Sequence, residues 1–214
     1  MGMQRSALNL LLLVGAVVLK LPGVGGNLDE EAKQMKELNP PIEQSAEVFA
    51  VCQLVPSSDL AADLPAISGY VLFKQTYPLG KLEAFFYLVG FPLDFNQFSR
   101  AIHVHRFGDL SGGCLSTGPH FNPLNVNHPQ HPGDFNNFQV NSGRIVQYVR
   151  DLKATLYGAH SILGRGVVVH EKEDDLGLGG NEGSILSGNA GRRLACCTIA
   201  ISNGNLWKKM VHDM

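Results

Sequence analysis

The chain is 214 residues long, 44% hydrophobic and 17% charged, a balance that can bury a core and excludes a disordered chain. Its 17 Lys and Arg against 19 Asp and Glu leave a formal charge of -2, so there is no cationic surplus to hold nucleic acid by counterion release. With 24 Gly and 11 Pro spread between short β-branched and aromatic runs, the composition points to an all-β fold in one domain of ordinary size, and away from a helical bundle.

In chain order, Arg5, the apolar run Ala7 to Leu19 and the small residues Gly23 to Gly26 have the n-region, h-region and cleavage pattern of a secretory signal, expected over residues 1–25. The run is short for a bilayer and no stop-transfer pattern flanks it, so no membrane attachment is expected after cleavage. Secretion in turn makes disulfides permissible for the four cysteines.

Residues 26–48 read as an extension. Within it Leu28, Ala32, Met35 and Leu38 fall at helical spacing until Pro40 and Pro41 stop the pattern. So short a helix is marginal in water without a packing surface, so it either docks on the domain or pairs with copies of itself, unless the segment is a solvated tail. The main domain is expected over residues 49–205. Its strands are read at Tyr70 to Phe73, Leu82 to Val89, Ala101 to Val104, Ile145 to Val149, Gly166 to Val169 and Leu194 to Ile201, where apolar residues alternate or run continuously. Two long Gly/Pro/Asn/Asp-rich stretches, Gly108 to Asn137 and Glu171 to Gly191, are expected to be functional loops. Residues 206–214 read as a tail whose basic content is Lys208 and Lys209, too little for heparan sulfate.

Eight histidines cluster from His103 onward. His103 and His105 are two apart in a strand pattern and so share a face, where both can grip one ion. His120 lies in a rigid Gly-Pro-His-Phe-Asn-Pro turn. His128, His131 and Asp134 follow, braced by Pro129, Pro132 and Gly133, and with His120 they make three imidazoles and a carboxylate, a donor set suited to tetrahedral zinc. His170 closes the Val167–Val169 run and can join His103, His105 and His120, four imidazole nitrogens that favour tetragonal Cu(II). Seven ligands then serve eight positions, and His120, between the two groups in sequence, is the natural bridge. His160 and His212 have no such partners and read as structural.

The segments Ala101 to Asp109, Gly118 to Pro123, Val168 to Gly177 and Gly188 to Cys196 together resemble the copper/zinc superoxide dismutases, over about Cys52 to Ile201. The signal, the extension, the compact His128 to Asp134 loop and the Cys196-Cys197 pair resemble the extracellular branch. The resemblance implies an eight-stranded antiparallel Greek-key β-barrel, sandwich-like, with the metals outside the barrel under the two long loops. It implies copper on His103, His105, His120 and His170, and zinc on His120, His128, His131 and Asp134. Asp174 takes the place of the carboxylate that hydrogen-bonds imidazoles of both sites. Arg193 takes the place of the arginine that draws a small anion to copper, with Arg192 its neighbour and competitor. Cys114 and Cys196 match the family disulfide. Cys52 and Cys197 are expected to pair, the alternatives being a Cys114-Cys197 exchange or an intermolecular bond.

The implied activity is conversion of two superoxide anions to dioxygen and hydrogen peroxide by a secreted homodimer or homotetramer. His120 would serve as both ligand and acid. The alternative is a non-catalytic extracellular copper-binding or copper-delivery protein on the same barrel. The sequence departs from the family pattern at the channel rim, where the usual lysine falls on Leu186 and an acid on Gly183. Lys172 is the expected remaining source of attraction for the substrate.

Overall fold

The computed structural model describes residues 46–93 and 98–211. The expected signal and the amphipathic stretch at 27–38 lie outside the described residues. The strands are β1 (Glu47–Pro56), β2 (Ser68–Thr76), β3 (Leu82–Val89), β4 (Phe98–His105), β5 (Ser111–Cys114), β6 (Asp134–Val140), β7 (Arg144–Leu152), β8 (Gly166–His170), β9 (Arg193–Thr198) and β10 (Ala200–Ser202). Two short helices are α1 (Glu182–Ser187) and α2 (Asn205–Val211). The principal strands run in the order β6-β4-β8-β9-β1-β2-β3-β7, all antiparallel. A tight turn in which Asn141 and Arg144 exchange backbone hydrogen bonds joins β6 to β7, so the sheet curls into a nearly closed eight-stranded barrel. The expected all-β barrel is therefore what the chain forms.

Alternation along the strands decides what faces inward. On β4, Ile102 and Val104 enter the main core while His103 and His105 face out, and on β8, Val167 and Val169 face in while Val168 and His170 face out. Every residue of β8 is buried on both faces, because the segments flanking the strands fold back over the barrel's outside. Inside, Phe86 has no exposed surface and packs on Phe138, with ring centroids 4.4 Å apart, and on Phe135 at 5.8 Å.

Several expected boundaries shift. β1 begins at Glu47, two residues before the position at which the main domain is read to start. The Gly108 to Asn137 stretch holds β5, a 3-10 turn at Leu115–Thr117 and the start of β6. In β6, Asn136 adopts φ +66° and the pairing with β4 slips between Ala101 and His103, so Phe135 and Phe138 both turn inward although three residues apart. The expected strand Leu194 to Ile201 is broken at Ile199, after which β10 pairs with Phe49 to Val51 of β1. The expected tail is instead helix α2, whose Trp207 is buried against Phe49, Leu72 and Phe85 on the barrel's outer face.

Both halves of the Cys196-Cys197 pair are engaged. Cys197 faces the core and bonds Cys52, while Cys196 faces out and bonds Cys114, with Val168 packed against it. Phe86→Ala, which removes the ring at the centre of the aromatic cluster, is expected to cost about 3–5 kcal/mol through lost contacts and a cavity. The denaturant midpoint of the metal-free protein, compared with the unsubstituted chain, measures it.

Candidate metal centre

The outer face of β4 carries His103 and His105, and β8 ends in His170. The chain returns along β4 through Arg106 N to Pro119 O and Phe121 N to Val104 O, both 2.8 Å, which sets His120 across from His105. Val104 N bonds Gly133 O at 2.9 Å and pins the loop bearing His128, His131 and Asp134 to the same strand. All six imidazoles are buried.

Hydrogen bonds select which nitrogen of each ring is left free. A ring nitrogen that bonds a carbonyl or carboxylate must carry the proton, which leaves the other nitrogen with its lone pair. His105 donates through Nδ1 to Gly118 O at 2.7 Å, and His131 through Nε2 to Val126 O at 3.0 Å. Asp174 accepts from His103 Nε2 at 2.9 Å on one oxygen and from His128 Nε2 at 2.7 Å on the other. The nitrogens left over converge. His103 Nδ1 and His120 Nε2 are buried without a hydrogen-bond partner, and His105 Nε2 stands 3.2 Å from His170 Nε2. His128 Nδ1 and His131 Nδ1 lie 2.9 and 3.0 Å from Asp134 Oδ2, yet neither is aligned to bond it, as though all three addressed a common point.

Two four-donor groups result: His103, His105, His120 and His170, and His120, His128, His131 and Asp134, with the donor atoms of each within 4.8 Å of one another. His120 belongs to both, with Nδ1 3.1 Å from Asp134 Oδ1 and Nε2 toward the other group. Unpartnered lone pairs packed this closely in a buried place are costly unless a cation holds them, and four imidazoles and three imidazoles with a carboxylate fit a copper and a zinc site respectively. His103, His128 and Asp174 also lie together, but there both imidazoles present N–H groups, so the carboxylate orients the two rings.

Asp174 is itself held. Asn137 on β6 exchanges two 2.8 Å hydrogen bonds with its backbone, and Leu176 N donates to Oδ1 at 2.7 Å. Gly188 ends α1 with φ +65° and lies so close that a Cβ there would come within 2.0 Å of Asp174 Oδ1 and 2.7 Å of His128 Nε2. Neither Asn137 nor Gly188 stood out in the sequence, since an Asn pair in a polar stretch and one glycine among 24 carry no distinguishing pattern.

Electrostatics follow from burial and neighbours. Burial pushes His105 and His170 well below the ordinary histidine range, with the surrounding imidazoles adding to it, so both are neutral at pH 7. Burial also takes His120 down to about 4, with His103 and His128 adding to it against the pull of Asp134. His128 goes the other way: despite burial, the Asp134 and Asp174 carboxylates hold it up at about 9, so without a metal its Nδ1 carries a proton that must leave before that nitrogen can act as a ligand. Three imidazoles keep Asp134 below the usual carboxylate range against the opposing effect of burial.

His105, His120, His131 and His170 open onto a cleft of about 990 Å³. Its lining holds Arg106, Arg165 and Arg193, and no carboxylate. Arg165 is stacked 3.6 Å from the Phe121 ring centroid and donates to Ser161 O and Arg106 O. Arg192 is absent from the lining because Glu171 grips it with two bonds of 2.8 and 2.9 Å. Ile185, Leu186 and Ser187 of α1 also line it. Lys172, expected from sequence to supply attraction, does not line the cleft, and Arg106 and Arg165, which sequence reasoning passed over, do.

Comparison with known proteins agrees with this geometry. The sequence profile described as copper/zinc superoxide dismutase (SODC) matches residues 67–199. The chain is 57% identical over 166 residues to the extracellular superoxide dismutase [Cu-Zn] of Homo sapiens, covering 78% of this chain and 69% of the relative. It is 56% identical over 167 residues to that of Rattus norvegicus, covering 78% and 68%, and 40% identical over 163 residues to superoxide dismutase [Cu-Zn] A of Xenopus laevis, covering 71% and 97%. On this match and on the paired donor groups of its barrel, the chain belongs to the copper/zinc superoxide dismutase family.

Proposed function

We propose that the protein is a secreted superoxide dismutase, with copper on His103, His105, His120 and His170 and zinc on His120, His128, His131 and Asp134. The observation that carries this reading is the sharing of His120 between two buried groups of metal-ligating side chains beside a cleft with only cationic charge. Copper, when bound, supplies the exchange of one electron with each of two superoxide anions, giving dioxygen from the first and, with two protons, hydrogen peroxide from the second. Everything else falls to the side chains. Arg193, fixed at the cleft wall, orients a small anion beside His105 and His170. His120 lines the cleft, and its Nε2, when not engaged by copper, is the nitrogen placed to carry a proton to a departing peroxide. His128, His131 and Asp134 hold the other edge of the His120 ring, and Asp174 keeps His103 and His128 in the tautomers that leave Nδ1 free. The alternative of a non-catalytic copper carrier is not favoured, since neither donor group is short of a member.

The sequence pattern of residues 1–25 and the extracellular relatives support secretion. For assembly we propose a homodimer, or a homotetramer joined through the helical stripe of residues 27–41. Heparan sulfate is not expected as a partner, because Lys208 and Lys209 are the basic residues of α2.

Superoxide decay, followed on protein loaded with one copper and one zinc per chain, tests the central reading. Rapid, catalyst-dependent decay is expected from the unsubstituted chain, with loss of at least about a hundredfold in His120→Ala, and an inactive loaded chain rejects the reading. Replacing both Arg106 and Arg165 by Gln is expected to lower kcat/KM about three- to tenfold at low ionic strength, the deficit shrinking as salt is raised, because steering by exposed charge is screened. Light scattering of the mature chain with and without residues 27–41 should show the mass fall by half if the stripe joins dimers, and an unchanged mass removes that role.

A further inference from the structure

We infer that Thr117 is a positioning residue for Arg193, and that its hydroxyl sets the plane in which the guanidinium meets an anion in the cleft. The inference rests on the reading of the cleft given above. Thr117 ends the 3-10 turn behind the cleft wall and has no exposed surface. Arg193 Nη1 donates to Thr117 Oγ1 at 3.0 Å and to Cys114 O at 2.8 Å, with Leu115 O at 3.3 Å. A guanidinium has no acceptor, so Thr117 must accept from Arg193, and its single proton goes to Cys114 O at 2.8 Å.

Hydroxyl, carbonyl and guanidinium thus form a closed triangle. Both hydrogens of Nη1 are committed to it, and Nε and Nη2 have no partner among the described residues. Arg193 lines the cleft together with His105 and His170, so Nε and Nη2 are the groups it has left to offer an anion there. Burial lowers the Arg193 pKa from its ordinary value, but the group stays charged.

The threonine cannot easily turn away. A Cβ built on Gly166 would stand 2.9 Å from Thr117 Cγ2, which places the methyl flat on β8, and Thr117 O accepts from Phe107 N at 2.9 Å on the other side. The hydroxyl is held by packing before it meets the arginine. Removing it while keeping the shape would leave one Nη1 hydrogen in a half-buried place with a distant carbonyl as the alternative, and the guanidinium would tilt to recover a partner.

Thr117→Val and Thr117→Ser in the full chain separate hydroxyl from shape. Two readouts are made: kcat/KM for superoxide with both metals bound, and, on metal-free protein, the rate at which the two carbonyls of phenylglyoxal condense with the Arg193 guanidinium. Peptide mass mapping follows that rate, with Glu171-bound Arg192 as internal reference. The expected result for Thr117→Val is a three- to tenfold fall in kcat/KM and a phenylglyoxal modification rate at Arg193 altered at least threefold, with copper and zinc content unchanged. Thr117→Ser is expected to stay within twofold of the unsubstituted chain in both. Valine behaving as threonine, or serine as impaired as valine, overturns the inference. If the valine variant does not fold, Thr117→Ala against Thr117→Ser makes the same comparison. An unsubstituted chain without activity would sink the dismutase reading, whereas the metal-free modification rates judge Thr117 regardless of it.

Discussion

One carboxylate governs how the rest of this centre is arranged. Asp174 has two oxygens and spends one on His103 and the other on His128, so a single side chain chooses the tautomer of a ring in each donor group. A buried carboxylate is expensive to desolvate unless its lone pairs are filled. Here His103, His128 and Leu176 N fill them, and the imidazoles keep the acid ionised against the opposing effect of burial. The surroundings then follow from the need to hold that group still. Asn137 clamps its backbone from β6, and α1 must end in a glycine because no larger residue fits against the carboxylate and the His128 ring.

How much of this was legible beforehand depended on whether a feature was local. The strand spacing of His103 and His105 and the proline-braced cluster from His128 to Asp134 are local, and the pairing of side chains they suggest is what the fold assembles. β6 was not legible, because its inward residues Phe135 and Phe138 break the two-residue period at the left-handed Asn136. The C-terminal helix was missed for a related reason. Seven residues are too few to show a helical stripe, and what makes the helix stable is the burial of Trp207 on a surface assembled from three other strands. Asn137, Gly188 and Arg165 lie furthest from legibility, since each matters through a neighbour distant in sequence.

Charge is distributed in the same economical way. The formal balance of -2 gives the molecule no general attraction for anions. The cleft achieves it locally, by excluding carboxylates from its lining and by tying the arginine next to Arg193 to Glu171. What α1 contributes to the lining is Ile185, Leu186 and Ser187, so it brings no counter-charge to the three arginines.

The adjacent cysteines of β9 show what strand geometry can enforce. Cys197 faces the core toward Cys52 and Cys196 faces outward toward Cys114, so one strand is riveted to the barrel on one face and to the loop region on the other. A swap joining Cys114 to Cys197 would require β9 to slip by one residue, and such a slip turns every side chain of the strand over. Arg193 lies beyond a shift in the pairing of β8 with β9, where Leu194 and Ala195 both turn inward, and so it lies outside although it stands four residues from core-facing Cys197. The pleat therefore acts as a proofreading device for oxidation: of the isomers that neighbouring thiols could form, the one that fits the alternating faces at Cys196 and Cys197 is the one the strand allows, while the bulge two residues earlier turns the arginine outward to the cleft.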